Sequence, residues 1–323
     1  MVDVVRGTEP CERLRVERQR GPFYDDGFVQ VWHGDARALP LPDGSVNLVI
    51  TSPPYNCRAP YDGYDDWLPW DEYWHDLIEP SMRECFRVLA PGGRIAVNLA
   101  NVVRQDVTSE RRQLQQLPRR RWKPAGANGQ PWSAMVAPRL WATLKQIGFL
   151  PREQLTWIKA LNPEDIVTST AWGSWCSASN PVLRAVAEPV FIASKVTHAR
   201  SAGVSDLTST EFKAWTRNVW NIPVGTDRDL DHPCKFPPEL PRRLIKLYSY
   251  VGDVVVDPFC GSGTTLRIAK DLARQAVGVD ISRRYCAMSA DRCRQQLLFA
   301  ADVHSAGNDG RTDWTSEPYG LDR

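Results

Sequence analysis

The sequence predicts an α/β protein built on a doubly wound, mostly parallel sheet. Three observations carry this: strand-like runs alternate with helical ones, several of those strands are apolar on both faces, and one apolar strand runs straight into a glycine loop and a helix. The strands fall at Phe28–His33, Val46–Thr51, Arg94–Leu99, Gln154–Ile158, Val190–Ala193, Val254–Asp257 and Ala276–Asp280, each a short run rich in β-branched and apolar residues. Between them, Trp74, Ile78, Met82, Cys85 and Leu89 recur at steps of three or four residues, as do Leu240, Leu244 and Leu247, marking helices that cover a sheet. No internal repeat is present.

With 323 residues, 42% of them hydrophobic, the chain can bury a substantial core as one large domain or two small ones. Its first 21 residues are charged throughout and lack the apolar centre of a secretory signal. No stretch reaches the roughly 18 apolar residues of a membrane span, so a cytoplasmic location without a membrane partner is expected. Eight cysteines without a CxxC pair suit a reducing compartment, and His232 with Cys234 offers too few ligands for a metal. A net charge of only +2 means that any affinity for nucleic acid must come from a local patch.

Residues 101–132 hold such a patch, where Arg104, Arg111, Arg112, Arg119, Arg120, Arg121 and Lys123 outnumber Asp106 and Glu110, with Trp122 beside them. Pro118, Pro124, Gly126 and Gly129 interrupt any helix, which predicts a mobile basic loop between regular elements; it faces either DNA phosphates or simply solvent. Residues 1–27 and 298–323 read as an N-terminal arm and a C-terminal tail.

Val254–Asp257 leads into Pro258-Phe259-Cys260-Gly261-Ser262-Gly263-Thr264-Thr265 and then a helical stretch, the arrangement of a nucleotide site. Gly261 and Gly263 can take positive φ and let a ligand approach the backbone, while the helix start presents unpaired N–H groups. Asp280, ending the next strand, can accept both hydrogen bonds of a ribose diol. A glycine loop also serves as a plain tight turn, but this one lacks both dinucleotide spacing and the Lys of a phosphate loop. Phe259 offers an aromatic face to a cation, or simply fills the core. Cys260 has no His partner nearby in sequence and reads as a small buried thiol rather than a nucleophile.

Val46–Thr51 ends in Ser52-Pro53-Pro54-Tyr55, at the carboxyl edge where α/β sheets bind ligands. The composition suits one chemistry. The lone pair of an exocyclic base amine is delocalised into its ring, and acceptors that bind both N–H groups localise it. The Ser52 hydroxyl and the Pro53 carbonyl are such acceptors, Pro54 stiffens the carbonyl's direction, and Tyr55 offers a face on which an extruded base can stack. The alternative is a turn after a strand.

At these two motifs the sequence resembles the β (permuted) group of DNA amino-methyltransferases from bacterial restriction–modification systems. The order carries the likeness, TSPPY at 51–55 preceding DPFCGSG at 257–263, and VLAPGG at 88–93, NVW at 218–220 and HPCKFP at 232–237 extend it over about residues 28 to 297. The resemblance implies a circularly permuted S-adenosylmethionine-dependent methyltransferase fold with an inserted DNA-recognition region. It implies methyl transfer from S-adenosylmethionine to a flipped base in double-stranded DNA. Ser52 favours N4 of cytosine, with N6 of adenine as the alternative; a catalytically silent DNA-binding homologue and an RNA or protein-amide methylase are further alternatives. Carried over by position, Asp257, Phe259, Gly261 and Gly263 line the cofactor pocket, Asp280 holds the ribose, Lys235 and Phe236 lie near the methionine end, and Asp35 contacts the adenine.

Domain boundaries follow: a catalytic half at 28–195, a target-recognition region at 196–231 and a cofactor-binding half at 232–297. The recognition region carries Lys195 at its border, His198, Arg200, Arg217 and Arg228, and shares DNA contact with the basic loop and with Asn162–Arg184, where Trp172, Trp175 and Asn180 stand out. A cognate restriction endonuclease and a second copy of the chain are the further partners such a family admits.

Overall fold

The computed structural model describes residues 21–105, 132–159, 174, 176–179, 181, 183, 185–200, 203–224 and 237–294. A nine-stranded sheet forms its centre. Strands β1 (Tyr24–Asp25), β2 (Val29–His33), β3 (Val46–Thr51) and β4 (Leu89–Asn98) come from the first part of the chain. A two-stranded ribbon follows, of β5 (Val102–Gln105) and β6 (Trp132–Met135), and then β7 (Phe149–Ile158), β8 (Ala187–Lys195), β9 (Val219–Asn221), β10 (Val254–Asp257) and β11 (Gln275–Asp280). The order across the large sheet is β1-β2-β11-β10-β3-β4-β8-β7-β9. Only β1 and β8 run against the rest, so the sheet is mostly parallel as the sequence predicts.

Successive side chains of the central strands enter opposite cores, the period of two that a strand imposes. Val49, Ile95, Val97, Phe191 and Val256 face one layer, while Leu48, Ile50, Ala96, Ile192 and Val255 face the other. The first layer is closed by a helix that starts as α1 (Trp70–Glu72), passes through a π-helical segment (Tyr73–Ile78) and continues as α2 (Glu79–Val88), together with α3 (Val136–Ile147). The second is closed by α5 (Glu239–Tyr248), α6 (Thr264–Asp271) and α7 (Arg283–Arg294), with the short α4 (Ser209–Trp215) packed on α5.

The π segment has a cause in the sequence. Pro80 has no N–H to give the carbonyl four residues back, at Asp76, and its ring crowds that oxygen. The turn widens, and Arg37 donates to the Asp76 carbonyl instead, at 3.0 Å.

The structure adjusts three expectations. Leu89 belongs to β4 rather than the helix, because the pairing with β3 begins at Val46↔Leu89 and jumps to Leu48↔Arg94 across a bulge. Gly92 in that bulge has φ +77°, and a Cβ there would sit 2.3 Å from the Ala199 carbonyl oxygen. The 101–132 insertion does not begin as a loop: β5 and β6 pair antiparallel from Val102↔Met135 to Gln105↔Trp132, leaving 106–131 outside the described residues. Finally, Val219–Asn221, not among the expected strands, joins the sheet edge beside β7 as β9.

Candidate active site

The carboxyl ends of β3 and β10 lie side by side, paired in parallel through Leu48↔Val255 and Val49↔Val256. From this pair the sheet continues through β11 on one side and β4 on the other, so their ends flank a switch in strand order, where doubly wound sheets open a crevice. Ser52 and Asp257 both line one cavity there, of about 1170 Å³. Ligand pockets run from roughly 300 to 1,000 Å³, so this one has room for more than a single small ligand.

On the β10 side the walls are those of a nucleotide site. The Asp257 carboxylate is buried and accepts from the Thr265 hydroxyl at 2.8 Å and the Phe259 N–H at 3.2 Å; burial pushes its pKa up to about 7. Asp280 accepts from the Gly261 and Ser282 N–H groups at 2.9 and 2.8 Å, one on each oxygen, and burial lifts it to about 6. Each of its oxygens keeps a second lone pair for a diol. Phe259 and Gly261, at φ +49°, line the same wall. Gly263, expected in the lining, instead sits behind it at φ +76°, where a Cβ would lie 2.8 Å from the Ser289 hydroxyl oxygen; its lack of a side chain lets α7 close on the loop. Burial raises the Cys260 thiol well above its ordinary pKa, in line with an inert role. Asp35 lines the cavity while gripped by Arg37 at 2.6 to 3.0 Å, the same arginine that caps the π turn. A buried carboxylate with lone pairs to spare, an aromatic face and a glycine with positive φ on one wall fit an adenosine-bearing sulfonium cofactor.

On the β3 side, the four residues of the tetrapeptide take different positions. Pro54 is fixed by the Tyr73 hydroxyl, which donates to its carbonyl at 2.8 Å. Pro53 is buried and, unlike Ser52, Pro54 and Tyr55, is not among the residues lining the cavity; among the described residues no donor bonds its carbonyl. Ser52 Oγ donates to the Tyr55 hydroxyl at 3.2 Å. That hydroxyl faces two acceptors, Asn98 Oδ1 at 2.7 Å and Glu188 Oε2 at 3.0 Å, and has one hydrogen to give them. Asn98, the last residue of β4, is oriented by its amide N–H bond to the Pro189 carbonyl at 3.0 Å; Glu188, near the start of β8, is ion-paired with Lys159. The Tyr55 hydroxyl therefore meets more acceptors than it has hydrogens to give.

Asn98, Glu188 and Lys159 escaped the sequence reading. The one local signal was a carboxylate opening the otherwise apolar buried run Pro189–Ala193. The segment after the tetrapeptide also matters. Buried Asp66 accepts from the N–H groups of Asn56, Cys57 and Ala59 at 2.7 to 3.1 Å, curling the chain back, and Asp62 ties it to the other half through the hydroxyl of Ser282 and through its own N–H to Tyr285.

Of the expected DNA contacts, Arg111, Arg112, Arg119, Arg120, Arg121 and Lys123 lie outside the described residues, as do Lys235 and Phe236 of the cofactor set. Arg217 is exposed, two residues before β9. Lys195 and Arg200 are corrected. Because β8 runs antiparallel, it enters at the catalytic edge with Glu188 and leaves at the opposite edge with Lys195, which donates to the Arg87 carbonyl; Arg200 forms a partly buried ion pair with Asp253 at 2.6 Å.

A family model described as DNA methylase, covering N6 and N4 enzymes, matches residues 46–291. The chain is 29% identical over 214 residues to the Type II methyltransferase M.MjaVI of Methanocaldococcus jannaschii, covering 63% of this chain and 95% of that one. It is 27% identical to M.MjaI of the same organism, over 77% of this chain and 86% of that one. A solved structure described as a putative DNA modification methylase of Thermus thermophilus, in complex with S-adenosyl-L-methionine, superposes with a TM-score of 0.57 at 27% identity, over 81% of this chain and 92% of the other. PvuII DNA methyltransferase, cytosine-N4-specific, shares the fold at a TM-score of 0.61 and 21% identity, over 86% and 90%. With the family match spanning both walls of the cavity, the chain belongs to the N6/N4 DNA methylase family of S-adenosylmethionine-dependent methyltransferases.

Proposed function

We propose that this methylase acts on the N4 amine of cytosine, extruded from duplex DNA into the cavity at the carboxyl ends of β3 and β10. The observation that carries the reading is the shared cavity itself: Ser52, with acceptors around it, stands across from Asp257 and Asp280 in one space. An amine with two N–H groups is the complement that an acceptor-rich corner lacks. Ser52 Oγ and the buried Pro53 carbonyl take those hydrogens, which draws the nitrogen toward tetrahedral geometry and frees its lone pair. When bound, S-adenosylmethionine supplies the sulfonium methyl that this lone pair takes, the carbon–sulfur pair staying on sulfur.

On the cofactor side, Asp280 holds the ribose and Phe259 faces the adenosyl group. Binding in the mouth of the cavity excludes water from both reactants. Adenine N6 is the second reading, favoured by a cavity large enough for a purine. A cognate restriction endonuclease reading the same sequence suits the Type II relatives.

The test is nucleoside mass spectrometry of DNA from cells expressing the protein, with sequencing of the modified positions. N4-methylcytosine in one sequence context is the expected result. N6-methyladenine would move the reading to the purine, and unmodified DNA would end it.

A further inference from the structure

We propose that the hydrogen-bond chain Ser52–Tyr55–Glu188 is the proton exit of the methyl transfer, with Glu188 as the terminal acceptor. This rests on the reading in which Ser52 receives the base amine, and holds for cytosine and adenine alike.

A nitrogen that has gained a methyl group carries a positive charge and still holds both hydrogens, so one N–H bond must break for its electron pair to return to the ring. The proton needs a path. Ser52 Oγ, which accepts that N–H, already donates to the Tyr55 hydroxyl at 3.2 Å, and Tyr55 reaches Glu188 Oε2 at 3.0 Å. Each proton moves by one bond: nitrogen to Ser52, Ser52 to Tyr55, Tyr55 to Glu188. Both hydroxyls are restored, the amine becomes neutral and the carboxylate becomes a carboxylic acid, so the charges on nitrogen and Glu188 cancel. The acid then gives its proton to solvent once the product leaves.

The surroundings of Glu188 suit this role. Among the described residues, the titratable groups in contact with it are Lys159, following β7, and Tyr55; Asn98 of β4 shares the Tyr55 hydroxyl, and Trp157 is its cross-strand neighbour. Lys159 pairs with Oε1 of the carboxylate and leaves Oε2 to the Tyr55 hydroxyl. A methylated ring amine is a strong acid, because losing its proton restores conjugation, so a carboxylate suffices to accept that proton. Asn98 Oδ1, the competing acceptor, holds the Tyr55 hydroxyl in the resting state without being able to take its proton.

Glu188 acts through Tyr55 and not on the base, so the readouts must separate proton transfer from architecture. Single-turnover methylation of PCR-amplified genomic DNA, at saturating cofactor, is followed against pH for the wild type, Glu188→Gln and Tyr55→Phe. Cofactor affinity by calorimetry, and base extrusion by 2-aminopurine fluorescence, are measured alongside. Glu188→Gln is expected to lose roughly 10- to 100-fold in rate near neutrality. Its acid limb should flatten relative to the wild type, so the two rates converge as pH falls, while cofactor affinity and fluorescence hold. Asp257 and Asp280 titrate in the same cavity, but in every variant equally. Tyr55→Phe, which cuts the chain in the middle, should lose a similar factor, and adding Glu188→Gln to it should cost little more.

Equal rates and equal pH profiles for Glu188→Gln would overturn the proposal, as would a loss matched by lost 2-aminopurine signal, which would make Glu188 a base-positioning residue. Should Glu188→Gln fail to fold, Tyr55→Phe with an unchanged pH profile decides against it. A wild type that transfers no methyl group to DNA would instead remove the reading beneath both.

Discussion

Ser52 and Asp257 carry opposite demands on the solvent around them, and that contrast yields two predictions. Ser52 is polar, partly exposed and engaged by a single hydroxyl, so its removal disturbs little beyond the reacting nitrogen. Ser52→Ala is expected to slow single-turnover methylation about 100-fold, the scale of one lost polar contact to a transition state, with cofactor affinity by calorimetry unchanged. Asp257 is fully enclosed, and burial holds its carboxyl near 7. The unfolded chain releases that proton near 4, so the folded protein binds it more tightly. The stabilisation from this site is complete below about pH 4 and lost as pH rises through 7. Asp257→Asn should therefore gain melting temperature over the wild type at pH 8 relative to pH 5, both without cofactor; an equal difference at the two values would contradict the buried charge. At this scale the residues brought to one cavity were legible: Ser52, Asp257, Phe259 and Gly261 because each sits in a contiguous motif, and Asp280 because it ends the strand that follows. Asn98, Lys159 and Glu188 were not, since they stand on or beside three strands whose register exists only once the sheet forms.

Elements inherit their quirks from single residues. The helix over Trp70–Val88 was readable from its apolar spacing, yet its π turn depends on Pro80 and on a partner, Arg37, far away in sequence. Strand β4 was read five residues short because a PGG run looks like a terminator, although it is a bulge inside a continuing ladder. The loop joining β10 to α6 contains the sharpest constraint. Gly263 has φ +76° and no room for a side chain against Ser289. Gly263→Ala should cost about 2 kcal/mol from backbone strain alone, with further loss from displacing α7, and should weaken cofactor binding because Gly261 and Asp280 move with the loop. A melting curve and a calorimetric titration check this; a variant as stable as its parent would mean that α7 yields more readily than its packing suggests.

The whole molecule places a basic insertion on a stable base. Because Gln105 pairs with Trp132, residues 106–131 can be replaced by an Asn-Gly turn without stretching either strand. The shortened protein is expected to keep its melting temperature and cofactor affinity while losing at least about tenfold in DNA affinity. The slope of log affinity against log salt should fall by roughly 0.9 for each phosphate contact removed. An unaltered slope would assign those arginines to solvent. The doubly wound class was legible from alternation alone, whereas the place of each strand was not: neighbours in the sheet come from opposite ends of the chain.

That last arrangement has a consequence for biosynthesis. Strands β2 and β3, made first, are not neighbours; β10 and β11, made more than two hundred residues later, must slot between them. In the finished sheet β2 and β3 stand three strand spacings apart, roughly 14 Å, so before the late pair is made they have no ladder to share. A polypeptide truncated before β10 thus lacks the sheet centre and the Asp257 and Asp280 wall of the cavity. The same gap makes the protein a natural candidate for reconstitution from two co-expressed pieces, one ending before residue 237 and one beginning there, each silent until the other fills its missing middle.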